Sequence, residues 1–221
     1  ESIYQTTKQQ SDLYKTMTIQ IYNTLKNILY DESKRENKHS YHIRNYIITP
    51  FLQISKIHPS QQTIQSQVVQ LTIELVNCLS NIDAIVREQA RNGIKNVLEC
   101  YGEFFSLIFF ENLKSQLHSV YQRHVLGYTV SYILSLITEP FLFEYSLPII
   151  MPVLFDELFG DISEEKEVTH LVSKYHEAKN SKAISSFELL GNKIKLSTLV
   201  LDVVFPLQKY LIMINMMLLF I

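Results

Sequence analysis

The segment YQRHVLGYTVSYILSLI, residues 121–137, is apolar on two faces at once. Leu126, Val130, Ile133 and Ile137 form one stripe at helical spacing, and Tyr121, Val125, Tyr128 and Tyr132 form a second. A helix with two apolar stripes needs a neighbour on each. A stack of helical hairpins supplies both: the partner within the hairpin and the adjacent repeat.

The rest of the chain is written in the same period. Leu13, Met17, Ile21, Leu25 and Leu29 mark an amphipathic helix over roughly 11–30, and the polar run DESKRENKHS at 31–40 reads as an exposed connection. Ile43, Ile47, Phe51 and Ile54 continue the pattern through Pro50, whose missing amide hydrogen bond predicts a kink, and His58-Pro59-Ser60 ends it. Ile64, Val68, Leu71, Leu75 and Leu79 carry a third helix. Asp83 then stands as N-cap of a fourth, which closes at Gly102. In it, Asp83, Val86, Arg87, Ala90, Ile94 and Leu98 have the spacing of a HEAT inner helix, with Arg87 expected at the edge near the next repeat; an ordinary capped amphipathic helix has the same pattern. Gly93 in mid-helix costs about 1 kcal/mol relative to Ala, which points to close approach by another helix.

Hairpins are thus expected at about 11–58, 60–102, 103–138 (turn at Ser119–Gln122) and 147–181, followed by C-terminal helices over 184–221. Starts near 60, 103 and 147 repeat every ~43 residues, within the ~40–47 of HEAT and armadillo repeats. The expected fold is all-α: an α-solenoid of HEAT/armadillo-like helical hairpins, continuous over 1–221. Five Gly, six Pro and no strictly alternating segment leave little from which to build a sandwich or barrel.

Several function classes find no material. With 20 Lys and Arg against 22 Asp and Glu, the net charge is −2, and the pI of about 6.4 is far from the value above ~9 of a basic nucleic-acid domain. Any RNA or DNA contact must be local or weak. Lys34, Arg35, Lys38, His39, His42 and Arg44 form a basic stretch diluted by Asp31, Glu32 and Glu36, which suits a solvated loop or a phosphate contact. Cys78 and Cys100 form neither a disulfide framework nor a zinc knuckle, and a reducing compartment is the simplest setting. The seven His make no HExxH, and GxSxG, P-loop and GxGxxG motifs are all missing. The expectation is a non-enzyme with no cofactor, no metal and no small-molecule substrate.

The first twenty residues hold no export signal. The run YLIMINMMLLFI at 210–221 falls short of the ~20 residues that span a bilayer, so a buried helix explains it better than a membrane anchor. Glu1 in place of Met and this apolar end are read as marks of a piece cut from a longer protein.

Residues that could meet a partner are Arg123, at the start of the two-faced helix, and Glu164, Glu165, Lys166 and Glu167, in the first turn of a helix whose apolar face is Val168, Leu171, Val172 and Tyr175. An exposed acidic first turn can be read by a basic partner, although the helix dipole alone accounts for it.

Two stretches carry a more specific signal. Gln122, His124, Val125, Leu126, Tyr128 and Thr129 open the series. Glu157-Leu158-Phe159-Gly160, Glu164-Glu165-Lys166-Glu167-Val168, Ser173-Lys174, Glu177-Ala178, Ser181-Lys182 and Phe187-Glu188-Leu189-Leu190-Gly191 follow in fixed order. The series resembles the DRIM (down-regulated in metastasis) family, most closely over 120–208 and with an extension back to 82. The resemblance implies a very long HEAT-repeat protein associated with the U3 small nucleolar RNA in the small-subunit processome. It further implies a non-catalytic nucleolar scaffold whose partners are other processome proteins and pre-ribosomal or U3 RNA. The family continues for many more repeats, where this chain passes into KYLIMINMMLLFI. The alternative, a cytosolic HEAT-repeat adaptor of the transport or phosphatase-scaffold type, shares the periodicity but not the ELFG and EEKEV series.

Overall fold

Asp83 caps its helix as its position requires: the carboxylate accepts a hydrogen bond from the Ile85 amide at 3.0 Å. Gly102 ends the same helix at φ +100°, a conformation open to glycine, and its amide donates to the Leu98 carbonyl at 2.9 Å. These signals recur along a computed structural model that describes residues 2–29, 38–58, 60–117, 120–159, 177 and 182–218. Among the described residues the regular structure is helical throughout.

The elements are α1 (Ser2–Leu29), α2 (Lys38–Lys56), α3 (Gln61–Leu79), α4 (Ala84–Tyr101), α5 (Phe105–Gln116), α6 (Val120–Leu136), α7 (Pro140–Phe159) and α8 (Ala183–Lys193). A helical turn at Leu196–Thr198 then runs through a π-helical stretch, Leu199–Val204, into α9 (Phe205–Leu218). The π stretch ends just before Pro206, which has no amide to donate to the Asp202 carbonyl.

Contacts follow an alternating rule. Helices α2, α4, α6 and α8 pack on one another in sequence, as do α3, α5 and α7, and successive helices cross between the two rows. Two layers built this way are an all-α helical solenoid. The two-faced α6 has its neighbours: α5 and α7 in the other row, α4 and α8 in its own. Leu126, Val130, Ile133 and Ile137 are buried, as is Val125, while Tyr128 and Tyr132 are half-buried.

Ile64, Val68, Leu71, Leu75 and Leu79 of α3 are all buried in the common core. Gly93 marks the close approach its position suggested: a Cβ there would stand 2.6 Å from Leu75 Cδ2 and 3.2 Å from Ile48 Cδ1.

Three features depart from the sequence reading. In α1, Leu13, Met17 and Ile21 are exposed, while Leu25 and Leu29 of the same stripe pack inward together with Thr18 and Tyr22, against α2. The helix expected near Leu147 begins at Pro140 and runs unbroken past Pro148 and Pro152, both solvent-exposed, where water can serve the carbonyls that the prolines leave without donors. Pro140 suits a first helical position, and the Glu103 carboxylate caps this end from the α4–α5 connection. It accepts from the Thr138 amide (2.7 Å), the Thr138 hydroxyl (2.6 Å) and the Glu139 amide (3.1 Å). Third, Arg87 is not at an edge but fully buried.

Candidate partner-binding surface

Val86, Ala90, Ile94 and Leu98 turn α4 inward, and Arg87 and Arg91 lie among them, one turn apart. A buried guanidinium requires a carboxylate and carbonyls around it. Arg87 has both. Nε donates to Glu177 Oε1 at 2.8 Å and Nη2 to Oε2 at 2.7 Å, a bidentate pair, while Nη1 donates to the carbonyls of Asn81 (2.9 Å) and Ile82 (2.8 Å). Arg91 Nη1 reaches Glu177 Oε1 at 3.2 Å, and its guanidinium lies 4.8 Å from the centre of the Tyr128 ring. Burial alone would raise the pKa of Glu177. Hydrogen bonds from Arg87 and the backbone, with the charges of both arginines, outweigh it and hold the group at about 2, against an ordinary 4.5.

A second buried carboxylate sits between α6, α7 and α8. Glu157 accepts from the Lys182 amide at 3.1 Å, immediately before α8. Its carboxylate occupies the space a side chain at Gly127 would need: a Cβ there would overlap Oε2 and stand 2.8 Å from Cδ. The Lys182 ammonium lies 5.9 Å from the Tyr128 ring centre. Glu157 and Glu177 of the DRIM-like series are thus parts of the fold's interior, and Lys182, half-buried, stands between interior and surface.

The surface candidates fare differently. Arg123 is partly exposed near the N-terminus of α6, with Nη1 3.7 Å from Asp156 of α7. Glu164, Glu165, Lys166 and Glu167 lie outside the described residues, as do the side chains of the basic stretch from Lys34 to Arg44. Arg123 and Asp156 stand at the rim of a cavity of about 680 Å³ floored by Leu117, Leu126, Ile149 and Val153. Its origin is a length mismatch. Phe104, just before α5, and Phe141 of α7 meet at 5.1 Å, but α5 has 12 residues and α7 has 20, so α7 runs on past the end of α5.

On the other row, two smaller cavities of about 400 and 250 Å³ lie between α4, α6 and α8, sharing Tyr128 and Tyr132. Arg91 and Asn92 line the first, and Lys182 and Ser185 the second. Sequence reasoning counted the tyrosines as an apolar stripe and missed this trough; the signal within reach was the arginine pair at Arg87 and Arg91 on an otherwise apolar helix face. Cys78 and Cys100 are not joined in a disulfide. Near the C-terminus, Tyr210 stacks on Phe155 at 4.7 Å while Leu211 and Ile212 stay exposed, and among the described residues no helix is long and apolar enough to cross a membrane.

The profile of the U3 small nucleolar RNA-associated protein 20 domain matches residues 34–216. The chain belongs to this family. A relative from Schizosaccharomyces pombe, named U3 small nucleolar RNA-associated protein 20, is 25% identical over 152 residues, covering 67% of this chain and 6% of that protein. The chain therefore spans only a small part of the length of the curated relative it matches. The U3 small nucleolar RNA-associated protein 20 match reaches through α3 and α2, well before residue 82, where the motif series loses definition.

Proposed function

We propose that this chain is a non-catalytic scaffold segment of a U3-associated small-subunit processome component, acting in pre-ribosomal RNA processing and small-subunit assembly in the nucleolus. The match of the U3 small nucleolar RNA-associated protein 20 domain to residues 34–216 carries the reading. The alternating two-layer packing supports a HEAT-like organisation, in which extended surfaces bind partners through many modest contacts. Its partners are other processome proteins and pre-ribosomal or U3 RNA. The charge balance adds that RNA contact is confined to local patches.

Affinity purification of the tagged parent protein, under conditions that preserve nucleoli, should recover processome proteins and U3 RNA. A parent confined to the cytosol that recovers only transport or phosphatase proteins would replace this reading with the adaptor.

A further inference from the structure

We propose that the trough between α4, α6 and α8 is a contact site for single-stranded RNA. The proposal rests on the reading of the chain as a U3-associated component and assigns that role to particular side chains. Tyr128 and Tyr132 lie one helical turn apart on α6 and are half-buried, and both border the two cavities of about 400 and 250 Å³. The Tyr128 ring is held by Arg91 at 4.8 Å and Lys182 at 5.9 Å. Tyr132, a turn further on, carries the aromatic wall along the helix. Such rings stack bases of any identity, and the half-buried Lys182 ammonium meets the phosphates while Arg91, buried and paired with Glu177, orients Tyr128.

The polar lining selects the ligand. Arg91 and Lys182 contribute donors only, and Asn92 with the hydroxyls of Ser131, Ser135 and Ser185 contributes groups that donate and accept. Two carboxylates border the cavities: Glu177 is engaged by Arg87 and Arg91, which leaves Glu88. Aromatic rings beside a cation and groups that both donate and accept suit flat bases joined by anionic phosphates, which describes single-stranded RNA. At a net charge of −2 overall attraction to phosphates is weak, so a contact built on stacking suits this chain. Ser185 and Ser135 are exposed, so the trough opens to solvent.

The test is fluorescence anisotropy of the 221-residue chain with a short fluorescein-labelled oligouridylate, at low and at physiological salt. Lys182→Glu and Tyr132→Leu should each weaken binding roughly tenfold or more. Lys15→Glu, on the exposed face of α1, is the control and should leave binding unchanged. Circular dichroism melting checks that the fold is kept, and Lys182→Gln gives a milder loss should Lys182→Glu melt early. Equal loss in the control and the trough variants, no loss in the trough variants, or no binding by the wild type would each overturn the proposal. Binding of oligoglutamate in place of the RNA would do the same and mark the trough as a protein site. Failure here with U3 RNA still recovered by the tagged parent removes the trough alone. Absence of U3 RNA from the wild-type parent removes the function on which it rests.

Discussion

Arg87 and Glu177 stand 90 positions apart in the chain and meet as a buried bidentate ion pair, with N–O distances of 2.8 and 2.7 Å. The contact ties α4 to a residue between α7 and α8, across more than one repeat. Taking Glu177 away leaves two buried guanidiniums without their counter-ion, at a cost of about 3–5 kcal/mol, whereas taking Arg87 away leaves Glu177 with Arg91 alone. Glu177→Ala is expected to lower stability in urea by that amount, and Arg87→Ala by somewhat less, because Arg91 still faces the carboxylate. The apolar double variant Arg87→Met with Glu177→Leu should lose clearly less than the two single losses combined.

The same pair sets an acid limit on stability. Glu177 is held at about 2 in the folded chain against 4.5 ordinarily, so its contribution is complete above the unfolded value and is lost as pH falls through the interval between them. The shift corresponds to about 3 kcal/mol. Urea midpoints measured from neutral pH down to about pH 2 should fall in that window, and Glu177→Gln should be less stable at neutral pH with a flatter acid limb.

Gly127 and Gly93 separate two kinds of close packing. Gly127→Ala drives a methyl group into the buried Glu157 carboxylate and is expected to cost about 1–3 kcal/mol. Gly93→Ala meets the methyl tips of Leu75 and Ile48, which can rotate, and gains about 1 kcal/mol of helix propensity, so its net effect should be smaller. Thermal denaturation of the two variants should rank Gly127→Ala as the more damaging.

Much of the fold is legible because helical period is local. The five apolar residues of α3, the Asp83 cap, the Gly102 stop and the first stripe of α6 all stand where their spacing puts them. What escapes depends on distant residues. Arg87 looks like an edge residue until its carboxylate arrives from position 177, and the tyrosines of α6 look like core until Arg91 and Lys182 are found against Tyr128. The stripe of Leu13, Met17 and Ile21 shows a subtler gap: spacing says which side chains are able to be buried together, not which face has a neighbour. On the surface, sequence reasoning names Arg123, which the fold leaves partly exposed beside Asp156, and does not find the trough.

That gap is itself testable. Leu13→Asp and Met17→Asp, on the exposed face of α1, should change stability by no more than about 0.5 kcal/mol. Tyr22→Ala, on the buried face where the ring stacks on Phe51 at 5.3 Å, should cost about 3–5 kcal/mol. Paired urea titrations decide which stripe holds α1 to α2.

The central claim is that this helical stack holds a U3-associated assembly by its architecture and not by chemistry. Its most direct test is recovery of U3 RNA with the tagged parent protein, wild type beside Arg87→Ala, at matched protein levels. The account predicts U3 RNA with the wild type and a several-fold loss with Arg87→Ala, in which the bidentate part of the tie between α4 and Glu177 is lost. No U3 RNA with the wild type, or undiminished recovery with Arg87→Ala, would contradict it.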